Sequence, residues 1–218
     1  ANIACGFHAS DPVVMSRTVK MAAESGVAAG AHPGYQDLVG FGRRNMNVAP
    51  AEVTDIVMYQ IGALEAFCRA NGIAMQHVKP HGAMYNMAEK DDKLAEAICR
   101  GIKAVNPDLI LLGPGSGKMV KAAKALGLQT AGEVSADRAY MEDGTLVPRS
   151  QEGAMITDEE EAVARVLEMV QKGTVTAITG KKIEVQADSI CVHGDGQKAL
   201  LFVQKIRSEL EKAGVVIA

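Results

Sequence analysis

Short apolar segments alternate with longer amphipathic segments along almost the whole chain, and this alternation restricts the possible folds more than any other feature. Residues 50–70 carry apolar side chains at intervals of three and four, which predicts a helix that ends at Asn71. A short strand is predicted next, over residues 74–79, and Pro80 stops it. The cycle continues with predicted helices at 93–105, 118–126, 158–172 and 197–213 and predicted strands at 108–112, 128–134 and 189–193. This alternation predicts an α/β fold with a parallel sheet, either open or closed into a barrel.

The remaining segments complete this pattern. Residues 1–5 and 27–31 are predicted strands, and the helix between them is expected to begin after an N-cap at Ser10. Residues 32–50 form a long glycine-rich loop, and 174–185 are expected to form a small hairpin. With 218 residues the chain is long enough for one core, so we expect a single domain over 1–218. Because Ala1 already lies in an apolar run, we also expect that a first strand precedes it.

Composition excludes several classes of function. The formal net charge is −3, with acidic and basic residues intermixed, so the chain lacks the basic field that attracts nucleic acid. Its four cysteines are scattered, which is typical of reduced thiols in the cytoplasm. No apolar run approaches the roughly 20 residues needed to span a bilayer. We therefore expect a cytoplasmic protein that uses neither nucleic acid nor a membrane.

Histidines follow the predicted strands at the places where parallel α/β folds build their sites. Four of the five lie at strand exits: His8, His32, His81 and His193. Carboxylates accompany them, namely Asp11, Asp37, Glu133, Asp137 and Asp195. Such a set supplies general acids and bases or metal ligands for cleaving an amide. The fifth histidine, His77, lies inside a strand and is expected to serve packing or a hydrogen bond.

Cationic side chains also lie near these strand exits. Lys79 has the same strand parity as His77 and His81, so it is predicted to point to the inner face, either in a structural ion pair or in a catalytic role. Arg43 and Arg44 lie in the long loop and have fork-shaped donors that suit a substrate carboxylate. The pair Asp137-Arg138 is a further candidate for substrate binding.

One glycine-rich segment resembles a phosphate-binding loop without matching it. Gly113 and Gly117 enclose three residues rather than four, and Met119 stands where a hydroxyl residue would bind Mg²⁺. We therefore do not expect this chain to bind ATP through such a loop.

Six ordered motifs closely resemble the LamB/YcsF family. They are Ala-Asn-Ile-Ala-Cys-Gly-Phe-His at 1–8, Gly-Ala-His-Pro-Gly-Tyr at 30–35, Gly-Phe-Gly-Arg-Arg at 40–44, Lys-Pro-His-Gly-Ala at 79–83, Ala-Asp-Arg at 136–138 and Cys-Val-His-Gly-Asp at 191–195. The resemblance implies a seven-stranded (β/α)7-type barrel similar to the glycoside hydrolase and deacetylase group. It also implies ATP-dependent opening of 5-oxoproline to glutamate together with separate B and C subunits. Family members usually begin with an Asp-x-Asn-x-Asp-x-Gly-Glu motif, which has no counterpart here and leaves the presence of a divalent metal open.

These observations lead to one main hypothesis for the site. His81 and His193 act as acid and base, Lys79 holds or polarises an oxygen, and Asp195 orients a histidine. His8 and His32 bind substrate or a metal, and the substrate carboxylate pairs with Arg43, Arg44 or the Asp137-Arg138 segment. ATP is expected as a co-substrate of the complex, with phosphoryl chemistry in a partner.

Two alternatives stay open. One is a metal-dependent deacetylase of an N-acetylated sugar or amide, with His8, His81 or His193 and an acidic residue as ligands. The other is a non-catalytic subunit that binds a small ligand and regulates a partner.

Overall fold

Strands and helices alternate as the sequence predicts. The computed structural model describes residues 1–193 and 199–217. The strands are β1 (Asn2–Ala4), β2 (Ala29–His32), β3 (Met75–Val78), β4 (Ile110–Gly113), β5 (Gln129–Ser135), β6 (Thr174–Thr176), β7 (Lys182–Glu184) and β8 (Ser189–Cys191). The helices are α1 (Pro12–Glu24), α2 (Pro50–Ala70), α3 (Gly82–Ala88), α4 (Asp92–Val105), α5 (Lys118–Ala125), α6 (Glu159–Lys172) and α7 (Ala199–Lys212). The predicted α/β class is confirmed.

Helix α1 begins one residue later than the sequence suggests. The carboxylate of Asp11 accepts hydrogen bonds from the backbone N–H groups of Val13 and Val14, at 2.8 and 2.9 Å. Asp11 is therefore the N-cap, and Pro12 occupies the first helical position, where its missing N–H costs nothing. The prediction of Ser10 as the cap is wrong, because Ser10 adopts a φ of 75°, outside the extended range that a cap residue usually has.

The first compact unit comprises residues 1–113 and 117–131. Its strands β1, β2, β3 and β4 pair in that order, and every pair is parallel. Helix α2 has the predicted bounds and buries one stripe against this sheet, formed by Val53, Val57, Ile61, Leu64 and Cys68. Since parallel strands all end at the same edge, the loops after β1, β2 and β3 emerge side by side.

The side chain of His77, on β3, extends over the neighbouring strand β2 at Gly30. Its Nε2 lies 3.0 Å from Oδ1 of Asn2, on the far side of β2. A Cβ added to Gly30, which lies between them, would stand only 2.1 Å from that Nε2 atom. Glycine at position 30 therefore makes room for the imidazole ring, and the predicted packing and hydrogen-bonding role of His77 is confirmed.

The glycine-rich turn before α5 is closed by a carboxylate of the chain itself. Glu89, at the end of α3, accepts hydrogen bonds from the backbone N–H groups of Lys118 at 2.8 Å and Met119 at 3.2 Å. A Cβ at Gly117 would lie 2.1 Å from this carboxylate, so the turn needs glycine there. The first amide groups of α5 thus have an anionic partner within the protein.

The second compact unit comprises residues 114–116 and 132–218, of which 194–198 and 218 lie outside the described residues. Strand β5 pairs in parallel with β8, and β6 and β7 form the predicted antiparallel hairpin. Its core is formed mainly by Val134, Val166, Met169, Val175, Phe202 and Ile206. That residues 1–218 form one domain stays a prediction.

Two further expectations concern the whole chain. All four cysteines are buried thiols, in agreement with the sequence prediction. Among the described residues, no helix combines the length and apolar character needed to cross a membrane.

Candidate active site

Three histidines meet at the edge of the first unit where the strands end. His8 follows β1, His32 is the last residue of β2, and His81 follows β3. The rings of His8 and His81 are stacked, with centroids 3.7 Å apart and an angle of 1° between their planes. The ring of His32 meets that of His81 edge-on at 4.8 Å. The structure therefore brings together the three predicted histidines of this unit, which we call the histidine cluster.

Hydrogen bonds fix two rings of the cluster. Nε2 of His32 lies 3.0 Å from Nδ1 of His81. The outer nitrogens of the pair face backbone carbonyls, with Nδ1 of His32 at 2.6 Å from the oxygen of Lys79 and Nε2 of His81 at 2.7 Å from that of Phe41. The two imidazoles thus form a chain between two carbonyl groups.

The Phe41 carbonyl is presented by a tight loop. Phe41 has a φ of 54°, a left-handed conformation that is uncommon for a bulky residue. Residues in such strained conformations are often found near functional sites. The loop is closed by Asp37, which is buried and accepts hydrogen bonds from the backbone of Gly40 and the guanidinium of Arg44. The backbone of Ala83 also donates to the carbonyl of Gly42 at 2.9 Å. These bonds hold the loop against the residues that follow His81.

A buried glutamine, which the sequence analysis missed, supports the same region. Gln60 of α2 is fully buried, and its side-chain amide exchanges two hydrogen bonds with the backbone of Gly34, at 3.0 and 2.9 Å. Gly34 follows His32 by two residues, so this contact fixes the path of the chain after β2. The available signal was a lone glutamine on the apolar stripe of α2, because a buried amide needs partners.

The surroundings of the cluster disfavour protonated imidazoles. Burial, and after it the positive charges of His81 and Arg43, lower the pKa of His8 to about 3. The pKa of His32 lies well below its ordinary value, first because of burial and then because of the positive charge of Lys79. Neutral imidazole is the form that accepts a proton or binds a metal.

The predicted cationic residues of this unit have different environments. The side chain of Lys79 is buried beside the cluster, in agreement with its predicted inward direction. The guanidinium of Arg43 lies 4.9 Å from the centre of the Phe41 ring, at the exposed rim of the cluster. Arg44 is committed to the carboxylate of Asp37. Substrate binding by Arg43 and Arg44 stays a prediction.

In the second unit, an aspartate orients the fourth histidine. Nδ1 of His193 lies 2.9 Å from both carboxylate oxygens of Asp137, and the backbone N–H of His193 also donates to Oδ2. An ionised carboxylate only accepts, so Nδ1 carries the hydrogen and Nε2 is the nitrogen that can accept a proton. Burial raises the pKa of Asp137, but the hydrogen bond and the charge of His193 outweigh it and leave the pKa below its usual range. This pair has the arrangement of a general base with an orienting acid.

The other predicted residues of this unit give a different result. Asp195, which we expected to orient a histidine, lies outside the described residues. Asp137 makes an orienting contact of this kind with His193. Arg138 is buried and donates to the backbone carbonyls of Val147 and Ala154. These contacts point to a structural role for Arg138, and substrate binding by Asp137 and Arg138 stays a prediction.

The histidine cluster also offers a set of metal ligands. His8, His32 and His81 can each present one ring nitrogen, and the three nitrogens lie within 4.8 Å of one another. Of the predicted acidic companions, Asp11 caps α1 and Asp37 binds Arg44, so the geometry gives both carboxylates structural tasks.

Parallel strands that alternate with helices and carry imidazole groups at their carboxyl ends define an α/β protein with groups for acid–base chemistry at its strand exits. The model of the LamB/YcsF family matches residues 1–218, and the chain belongs to the LamB/YcsF family.

Relatives resemble the chain over its whole length. A protein of Clostridium beijerinckii, named as the A subunit of 5-oxoprolinase, is 64% identical over 217 residues, covering 100% of this chain and 85% of the relative. A protein of Pyrococcus abyssi with the same name is 52% identical, with coverage of 100% and 85%. The crystal structure of the lactam utilization protein from Thermus thermophilus matches with a TM-score of 0.92 and 45% identity, covering 100% of this chain and 87% of that one. The fold class predicted from the sequence is therefore confirmed.

Proposed function

We propose that this chain is the A subunit of a 5-oxoprolinase and takes part in the ATP-dependent hydrolysis of 5-oxo-L-proline to L-glutamate. The observation that carries the proposal is the 64% identity, over the full chain, to a protein named as the A subunit of that enzyme. The lactam name of the Thermus thermophilus structure agrees with a cyclic amide as the substrate class.

The reaction requires groups that move protons. The C–N bond of the lactam breaks, water supplies a hydroxyl group to the carbonyl carbon, and the departing nitrogen takes up a proton. We assign these transfers to His81, whose Nδ1 lies 3.0 Å from Nε2 of His32, and to His193, whose Nδ1 lies 2.9 Å from the carboxylate of Asp137. Lys79 is suited to holding the carbonyl oxygen, because its ammonium is buried near the cluster.

The remaining roles concern binding. The substrate carries a carboxylate, for which Arg43 offers a planar fork at the rim of the cluster. His8 and His32 belong to the same cluster of the first unit, and we assign them contacts with the substrate or with a metal.

ATP and partner subunits complete the proposal. A five-membered lactam resists opening, so coupling to ATP supplies the driving force. The amide groups of Lys118 and Met119, which begin the helix after the glycine-rich turn, are already bonded to Glu89. We therefore assign phosphoryl chemistry to the B and C subunits. We also propose that the complex is cytoplasmic.

The decisive assay is glutamate release from 5-oxoproline and ATP, with and without the B and C subunits. Two variants, His81→Ala and Lys79→Ala, are expected to abolish release while the complex still assembles. The matched control is Lys124→Ala, which replaces an exposed lysine on α5 and is expected to keep full activity. A complete complex that releases no glutamate would refute the proposal. Activity that survives the joint replacement of His81 and His193 would instead point to a regulatory subunit.

A second candidate function is supported by the three clustered imidazoles. Their nitrogens lie within 4.8 Å of one another, as a metal-dependent deacetylase would require. Release of acetate from N-acetylated sugars by the chain alone, lost on chelation, would favour this candidate over the lactam reaction.

A further inference from the structure

The two facing nitrogens of His32 and His81 have no hydrogen atom between them when both imidazoles are neutral. Nδ1 of His32 and Nε2 of His81 face carbonyl oxygens at 2.6 and 2.7 Å, and a carbonyl only accepts. Each of these two nitrogens must therefore carry a hydrogen, and a neutral imidazole has only one N–H. The two inner nitrogens, 3.0 Å apart, then face each other with lone pairs. A cation between them would remove this repulsion.

The third ring of the cluster has the same need. His8 is 2% exposed, and its Nδ1 atom is buried without a hydrogen-bond partner among the described residues. A buried polar atom of this kind normally costs stability unless something binds it. His8 therefore adds an unsatisfied nitrogen to a cluster that already holds two facing lone pairs.

We propose that His8, His32 and His81 together bind one divalent transition-metal ion of the kind that prefers imidazole ligands, such as Zn²⁺. Carbonyl groups hold the non-ligating nitrogens of His32 and His81, which is the usual way a protein fixes the tautomer of a metal-binding histidine. Three protein nitrogens leave a further position for water or a substrate oxygen, as in catalytic rather than structural zinc sites.

The distances fit this assignment with one adjustment. Two nitrogens on one tetrahedral zinc stand about 3.3 Å apart, because each Zn–N bond is about 2.0–2.1 Å. The 3.0 Å separation of the inner nitrogens of His32 and His81 is close to this value. The full span of the three nitrogens reaches up to 4.8 Å, so the ring of His8 turns towards the other two when the ion binds.

Positive charge nearby limits the affinity. Lys79 and Arg43 are close enough to act on the histidines and oppose any added cation. Three metal–nitrogen bonds offset this repulsion better than the single N–H bond that a proton would form. We therefore expect an ion that chelators remove, in contrast to a closed site with four protein ligands.

The test measures binding rather than activity, so it does not depend on the proposed function. The chain is purified with a tag that contains no histidine, treated with EDTA, and titrated with Zn²⁺ by calorimetry and with Co²⁺ by visible absorption. About one ion per chain is expected. Both His32→Gln and His81→Gln should weaken binding at least about 100-fold, since the loss of a ligand's hydrogen-bond partner alone costs about 10- to 100-fold.

A matched control separates this site from the other histidine. His193→Gln removes an imidazole that is held by Asp137 in the second unit, and it should leave the stoichiometry and affinity unchanged. Binding that is lost in this variant, or retained in both cluster variants, would overturn the proposal.

The wild type decides the question if a cluster variant folds poorly by circular dichroism. Zn²⁺ must then raise the unfolding temperature of the wild-type chain, and Co²⁺ must give the intense absorption of a nitrogen-ligated tetrahedral site. Absence of both effects would overturn the proposal and would leave a shared proton as the cation between His32 and His81.

Discussion

Gly30→Ala is expected to destabilise the chain strongly for a substitution that adds one methyl group. The new Cβ would lie 2.1 Å from Nε2 of His77, whereas ordinary contact begins at 3.4 Å, so the ring has to move by more than 1 Å. Overpacking of this kind costs about 1–3 kcal/mol. Movement of the ring also breaks the hydrogen bond to Asn2, which contributes about 0.5–1.5 kcal/mol. We expect a total loss of about 2–4 kcal/mol in the free energy of unfolding.

Urea unfolding followed by circular dichroism measures this loss, and hydrogen exchange on peptides from β2 and β3 assigns it to the first unit. Gly62→Ala is the matched control, because no atom lies within 4 Å of its added Cβ and the position is in the middle of α2. It should stabilise the chain by about 0.5–1 kcal/mol.

A double substitution tests the cause. The variant Gly30→Ala/His77→Ala lacks the ring with which the new methyl group collides. Its loss in the free energy of unfolding should therefore be smaller than the sum of the two single losses by at least about 1 kcal/mol. A cost below about 0.5 kcal/mol for Gly30→Ala, or additive losses in the double variant, would refute the reasoning.

Four further outcomes follow from the described contacts. Asp137→Asn should lower the glutamate-forming activity of the complex by about 10²- to 10⁴-fold without loss of fold, because His193 loses the acceptor that fixes its tautomer; steady-state kinetics measure this. Since the pKa of Asp137 is lowered in the folded chain, the stability it contributes is present above the ordinary carboxyl pKa and is lost as the pH falls through the folded value. Urea titrations from about pH 5 to about pH 3 should therefore show a smaller decline for Asp137→Asn than for wild type. Gln60→Leu should cost about 1–3 kcal/mol in urea unfolding, because the backbone of Gly34 loses two partners. Glu89→Ala should cost about 0.5–2 kcal/mol by the same measurement, because the start of α5 loses its acceptor; an unchanged midpoint in either variant would contradict these contacts.

Most elements of the fold could be predicted because each one buries a stripe with its own period. The stripe on α2 gave both of its bounds correctly, and short apolar runs located the parallel strands. Helix α3 was missed, since its seven residues begin at Gly82 without a side-chain cap and most of them are buried, so no amphipathic period is visible. The N-cap of α1 was misplaced by one residue because Ser10 and Asp11 are both good caps, and only the backbone geometry decides between them.

One part of the site, the proximity of its three histidines, could be predicted for a geometric reason. Strand exits meet at one edge of a parallel sheet, so the proximity of His8, His32 and His81 followed from the strand pattern alone. The carbonyl of Phe41 could not be foreseen, because its direction depends on a left-handed residue inside a loop.

The partner of His193 was equally hidden. Asp195 is close to it in sequence, whereas Asp137 reaches it only because β5 pairs with β8 past an intervening helix and hairpin. Sequence distance is a poor guide where a strand pairs with one far along the chain.

The turn before α5 contains its own anion. Backbone N–H groups at the start of a helix favour an anionic partner, and here the carboxylate of Glu89, at the end of α3, accepts from those of Lys118 and Met119. Because this acceptor is covalently part of the chain, it is present at the turn whatever the concentration of phosphate or nucleotide, and an external anion could bind there only by displacing it.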